Sequence, residues 1–336
     1  MPDSEDLMES LDARARRRDQ RRGFFKAALG VAAVGTGAFI MSSPAAAQAV
    51  TDADVLNFAL NLEYLEANFY YYAAFGTPIP AASIGAGGVP ANSLPLNAGA
   101  RAVSFSDPAV AQYAREIARD ELAHVDFLRT ALGSAAVAQP QIDVGVTPTG
   151  AFSSAARAAG FLNPAPASGP PTDFFDPYAN DLNFLYGAYI FEDVGVTAYK
   201  GASPLLTNKA YIDAAAGILA AEAYHAAIIR TTIDRMGAMP GLKASTIRGD
   251  TELVSNARDS LDGASDLDQG LNQTSTGVGL TANIVPTDAN GIAFSRSAGQ
   301  VLNIVYLTNR PLMMGGFFPQ GVNGAIRAAA NNAPAA

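Results

Sequence analysis

The sequence predicts an all-α protein: a four-helix bundle with long loops and a C-terminal extension carrying one more helix. Three observations lead there. Four long segments space their apolar residues near 3.6 rather than 2. Each begins at a capping residue and stops at Gly or Pro. The four also match one another in pairs, so a helix pair is duplicated within the chain.

The first helix is expected from about Asp52 to Phe75, with Thr51 or Asp52 as N-cap and Gly76 and Pro78 as the stop. The second follows from "SDPAVAQYAREIARDELAHVDFLRTALG". Asp107 caps it, Pro108 takes the first helical position and Gly133 closes it. The third spans about Asn180 to Tyr199, closed by Gly201 and Pro204. The fourth runs from about Asn208 to Met236, ending at Gly237 and Pro240. A loop rich in Gly, Pro, Ala and Ser joins the first two. A longer stretch containing "NPAPASGPPTDFFDPY" joins the second to the third. Only a few residues join the third to the fourth, which makes those two antiparallel neighbours. Beyond Pro240 the polar, Gly- and Asp-rich "RGDTELVSNARDSLDGASDLDQG" reads as loops and short helical turns. "FSRSAGQVLNIVYLTN" reads as one more helix, and the tail "RAAANNAPAA" as disordered.

Composition narrows the chemistry. The chain has 336 residues, 49% hydrophobic and 16% charged, enough for a substantial core. Its body holds no long uncharged apolar run, so no transmembrane bundle is implied. A net charge of -9 with no basic block in the body argues against nucleic acid as a partner. With no cysteine there are no disulfides, thiolate metal sites or cysteine nucleophiles. Any metal must be held by oxygen and nitrogen.

The N-terminus reads as an address. A basic region precedes an apolar stretch from Ala27 to Met41, and Ala45 to Ala49 suits a cleavage site. Arg21-Arg22 followed by Gly23-Phe24-Phe25-Lys26 resembles the twin-arginine export signal. An ordinary secretory signal is the plainer alternative. The twin-arginine resemblance implies folded passage through that export machinery to a periplasmic or extracellular location. The expected domains are a signal peptide over 1–47, the bundle over 51–240 and the extension over 241–336.

The candidate site rests on the chain's two histidines. His124 and His225 each have a Glu three residues ahead, Glu121 and Glu222. Each Glu-x-x-His lies in the apolar stripe of its helix, among Ile117, Val125 and Leu128 or Ile218, Ala226 and Ile229, where a solvated face cannot place it. Glu63 and Glu192 lie likewise in the stripes of the first and third helices. "ALNLEYLEANFY" and "AYIFEDVGVTAY" align Glu63 on Glu192 and Tyr70 on Tyr199. "IARDELAHVDFLRT" and "ILAAEAYHAAIIRT" align Glu121 on Glu222, His124 on His225 and Arg129 on Arg230. A Glu from each of two helices plus Glu-x-x-His from each of the other two is the ligand pattern of ferritin-like di-iron and di-manganese bundles. Four carboxylates against two dications give near neutrality, which offsets burial. The expected metal ligands are therefore Glu63, Glu121, His124, Glu192, Glu222 and His225, holding two Fe or two Mn ions per chain. The competing reading is buried acid–histidine pairs that only hydrogen-bond. Glu66, one turn beyond Glu63, is a further candidate, but its duplicate position is Gly195. Tyr70 and Tyr199 read as core residues or as hydrogen-bond donors to the ligands. Arg129 and Arg230 read as helix caps or as an ion pair behind them.

The phrases "LNFALNLEYLEANFY", "ARDELAHVDFLRTALG" and "FEDVGVTAY", with "SRSAGQVLNIVYLT" and "GGFFPQGVNGAI" near the C-terminus, resemble the ferritin-like family often labelled desiccation-related proteins. The resemblance covers most of the chain after about Ala53. It implies a ferritin-like bundle, export and stress tolerance, but no settled reaction. The residues support a redox-active dinuclear centre meeting oxygen or peroxide, as ferroxidase or manganese-catalase-like enzyme. The alternative is a non-enzymatic envelope protein whose metal site is structural or vestigial. Assembly into a homo-oligomer stays open; the large loops argue against a compact cage.

Overall fold

The computed structural model describes residues 50–242, 246–275 and 279–332. The expected signal peptide, 1–47, lies outside the described residues, as do the last four of the tail. Seven α-helices are present among the described residues: α1 Asp52–Phe75, α2 Pro108–Leu132, α3 Ala151–Ala158, α4 Asp181–Ala202, α5 Lys209–Met236, α6 Ile247–Asp262 and α7 Ala298–Tyr306. A two-stranded antiparallel ribbon pairs Thr274 with Thr281.

Local chemistry sets the helix ends. Thr51 and Asp54 form a capping box at α1, and Gly76 closes it with φ 75, a left-handed conformation that glycine adopts without strain. Asp107 caps α2 with Pro108 behind it. Asn180 and Asn208 cap α4 and α5. The Asp52 carboxylate accepts from the Thr207 and Asn208 amides at 2.8 and 2.9 Å, which ties the start of α1 to the start of α5.

α1 packs chiefly on α2, and α4 on α5, as the duplication requires. The pairs then meet through α1–α4 and α2–α5 contacts. α2 and α5 are the outer helices. α1 and α4 are buried on nearly every side because further segments cover their backs. On α1, Asn57, Asn61, Tyr64 and Asn68 form a polar stripe at helical spacing. Asn57 exchanges hydrogen bonds with Ala135 and Val137, Asn61 with Asn323, and Asn68 binds Gln139. That stripe fixes the return of the chain after α2. An aromatic cluster of Phe69, Phe152, Phe184, Phe191 and Phe317 fills the core below.

The back of α4 is covered by the extension through buried charges. Arg230 and Arg258 both reach Asp193, at 2.7 and 3.3 Å. Arg258 and Arg296 share Asp268, and Arg296 also pairs with Asp262 at 2.5 Å. Three arginines against three aspartates leave this network neutral, the condition under which buried charges persist.

Four features differ from the sequence expectations. α4 runs through Gly201, expected to close it, and ends at Ala202. α3 forms within the long crossover. α6 forms where loops and short turns were expected, because its buried stripe is polar: Asp250, Thr251, Ser255, Arg258 and Asp262 join Ile247 and Val254. Tail residues up to 332 are ordered, held by Asn303, whose side chain binds Ala330, and by the Asn332 amide on Asn309.

Candidate metal centre

Each bundle helix delivers its acids inward. α1 supplies Glu63, α2 Glu121 and His124, α4 Glu192, and α5 Glu222 and His225. All six predicted residues converge, and Glu66 of α1 joins them. None of the five carboxylates exposes more than 6% of its surface, so water does not solvate them.

Glu121 lies between the imidazoles. His225 Nδ1 is 3.1 Å from its Oε1 and His124 Nδ1 is 3.7 Å from its Oε2. His124 Nδ1 also lies 3.2 Å from Glu63 Oε2 and 3.9 Å from Glu222 Oε1, and His225 Nδ1 lies 3.7 Å from Glu192 Oε2. Two donor sets share Glu121: Glu63, Glu121, His124 and Glu222 on one side, and Glu121, Glu192 and His225 on the other. A third set, Glu66, Glu192 and Glu222, contains oxygen only. Two donors each bound about 2.1 Å from one ion stand about 3.0–3.4 Å apart at right or tetrahedral angles, close to the spacings seen.

Unpartnered atoms give a direct test of fit. Seven buried donor atoms here have no hydrogen-bond partner: one oxygen each of Glu66 and Glu192, both of Glu121 and of Glu222, and Nδ1 of His225. Five of these atoms lie within ion-pair range of an imidazole or carboxylate, but Glu66 Oε2 and Glu222 Oε2 do not. The cost of each atom left without a partner is about 1–3 kcal/mol. Cations relieve it, and protons relieve it in part. Burial pushes Glu63 up to about 7 and Glu192 up to about 8. Burial, then neighbouring carboxylates, hold Glu66 and Glu222 well above the usual range. Burial also opposes charge on Glu121, but both imidazoles overcome it and hold Glu121 low. The imidazoles respond in kind. Burial disfavours their charged forms, yet the surrounding carboxylates raise His124 to about 11 and His225 to about 10. Without metal, the cluster stores protons.

The surrounding residues orient this set. Tyr70 of α1 donates its hydroxyl to Glu192 Oε1, and Tyr199 of α4 donates to Glu63 Oε1. The duplicated tyrosines thus cross between the halves, each holding the other half's single Glu. Asp120 lies 3.2 Å from His225 Nε2 and is partly exposed. Sequence reasoning missed Asp120. Its position beside Glu121 was the available signal, although the duplicate position, Ala221, breaks the symmetry. Gly195 explains the other asymmetry. A Cβ there would stand 2.3 Å from Glu222 Oε2 and 3.6 Å from Glu66 Oε1. Only one carboxylate of the Glu66/Gly195 pair fits, and glycine makes room for it. The two arginines also keep their duplicated geometry. Arg129 donates to Tyr64 at 2.7 Å, and Arg230 pairs with Asp193 at the position equivalent to Tyr64. Neither caps a helix end.

Comparison with known proteins agrees with this architecture. The ferritin-like domain family matches residues 51–235. The ferritin-like catalase Nec2 of Nesocodon mauritianus is 26% identical over 281 residues, covering 82% of this chain and 84% of that protein. The desiccation-related protein PCC13-62 of Craterostigma plantagineum is 30% identical over 260 residues, covering 75% and 76%.

Proposed function

The chain belongs to the ferritin-like domain family, and from that premise we propose that it is an exported dinuclear Fe or Mn carboxylate protein that removes hydrogen peroxide in oxidative or desiccation stress. One observation carries the reading: six unpartnered donor atoms on Glu121, Glu192, Glu222 and His225 converge in two imidazole-bearing sets that share Glu121. The relative named a ferritin-like catalase supports peroxide as the substrate.

Glu63, Glu121, His124, Glu192, Glu222 and His225 would hold the metal pair. Such a pair supplies two-electron exchange with a peroxide O–O bond. Glu121, common to both donor sets, would serve both ions. The Tyr70 and Tyr199 hydroxyls keep one oxygen of Glu192 and of Glu63 in place, leaving the other oxygen of each to bind. Asp120 fixes the tautomer of His225 by holding Nε2, which leaves Nδ1 for the centre. Substrate reaches the site along the α2–α5 edge, where His124 is 13% exposed and Asp120 46%.

The test is peroxide turnover by the metal-loaded protein, beside a His124→Ala/His225→Ala variant. A catalytic site loses turnover while the bundle still folds. A merely structural site loses thermal stability and shows no wild-type turnover to lose. Export rests on Arg21-Arg22 ahead of the apolar stretch. Arg21→Lys/Arg22→Lys should leave uncleaved precursor in the cytoplasm. Normal export of that variant would contradict the twin-arginine route.

A further inference from the structure

Two apolar cavities line up behind the metal centre. The outer one opens between α3, α6 and α7, past Ala158, Leu261 and Leu307. The inner one is bounded by Leu62, Leu65, Phe317, Gly195 and the apolar stem of Glu66. Ile190 of α4 and Ile304 of α7 line both, so two aliphatic side chains form the partition. The polar residues of the outer cavity turn their charged or hydroxyl ends elsewhere. Arg258 binds Asp193 and Asp268, and the Tyr186 hydroxyl binds Asp250.

We propose that these cavities form a conduit carrying dioxygen between the surface and the deep face of the metal centre. The proposal rests on the reading of a metal centre given above, and adds a route and a ligand to it. Apolar walls give water too few partners to stay, but they suit a small apolar gas. The inner cavity ends against the stem of Glu66, whose carboxyl carries an unpartnered buried oxygen, and against Gly195, which leaves a gap next to Glu222. Glu66 in turn belongs to the oxygen-only set with Glu192 and Glu222. Peroxide needs hydrogen bonds and uses the opposite edge, where Asp120 is partly exposed. The two routes separate a polar reactant from an apolar one. The partition opens when Ile190 or Ile304 changes rotamer, a motion that buried side chains make without unfolding. Dioxygen moves outward if peroxide is the fuel and inward if the centre oxidises Fe(II).

Xenon-pressurised crystals of the metal-free full chain test the path alone. Xenon is expected in the inner cavity beside Glu66 and is expected to be lost in Ile304→Phe. Because no metal takes part, this result stands whether or not the protein proves to be a metalloenzyme. In the Fe(II)-loaded protein, oxidation by dissolved dioxygen should slow by about an order of magnitude in Ile304→Phe. Oxidation by added peroxide should keep its wild-type rate. Ala257→Phe, which fills only the outer cavity, should slow the dioxygen reaction alike while leaving inner xenon in place, and serves if Ile304→Phe fails to fold. Xenon absent from the inner cavity overturns the proposal. So does a folded variant that retains both xenon and the dioxygen rate.

Discussion

Gly195→Ala is expected to stabilise the helix that carries it while weakening the metal centre. The added Cβ would lie 2.3 Å from Glu222 Oε2. Ordinary contact is about 3.4 Å, so the carboxylate must retreat by about 1 Å. Metal–ligand distances tolerate only about 0.2 Å, so this displacement removes Glu222 as a ligand. The loss should be about 10–100-fold in affinity at the position it serves, or about 1.4–2.8 kcal/mol. The fold responds in the opposite direction. Gly195 is inside α4, and alanine there favours helix by about 1 kcal/mol. The colliding atom is the end of a flexible side chain, so the backbone need not move. Calorimetric titration with Mn(II), paired with melting curves with and without metal, reads both effects. Metal-free Gly195→Ala should melt at or above wild type, and its gain on adding Mn(II) should shrink. Wild-type affinity in the variant would refute the placement of Glu222 at the metal.

Other consequences follow from the same geometry. Tyr70→Phe and Tyr199→Phe each remove a hydroxyl from Glu192 or Glu63; each should lower metal affinity about 10-fold, read by competition with a chelating dye. Metal uptake at pH 7 should release more than two protons per chain, because His124 and His225 hold theirs up to about 11 and 10, and Glu66 and Glu222 also titrate high. Affinity should therefore rise with pH; calorimetry in two buffers of different ionisation enthalpy gives the count, and no release would contradict the protonated cluster. The metal-free protein should behave oppositely. Raised folded-state pKa values mean that the native state binds more protons than the unfolded one. The imidazolium pairs then contribute fully below about pH 6.5 and fade as pH rises toward about 10, so chemical denaturation should show stability falling through that window. Arg296→Ala strands Asp262 and part of Asp268 in the core, costs about 3–5 kcal/mol, and should expose the extension to limited proteolysis before the bundle.

The bundle was legible because α1, α2, α4 and α5 are long apolar segments with N-caps where expected, although Gly201 lies inside α4 rather than ending it. The site was legible because two histidines each follow a Glu by three residues, and the duplication repeats the pattern. Legibility failed where burial is polar. α6 buries Asp250, Arg258 and Asp262, so hydropathy describes it as a loop, and only the partners Asp193, Asp268 and Arg296 make its stripe a core face. α3 is short and has no side-chain cap. Glu66 was hidden by symmetry. The duplicate position holds glycine because Glu66 and Glu222 fill the space a second side chain would need. Asp120 is partly exposed on its own helix, and its role depends on α5 bringing His225 to it.

The most direct test of the central claim is metal content by mass spectrometry on the purified mature protein, beside His124→Ala/His225→Ala. The account predicts about two Fe or Mn ions per chain, lost in the variant. A protein that stays metal-free even after reconstitution with Fe(II) and Mn(II) would contradict it, and would leave the buried carboxylates to be balanced by protons alone.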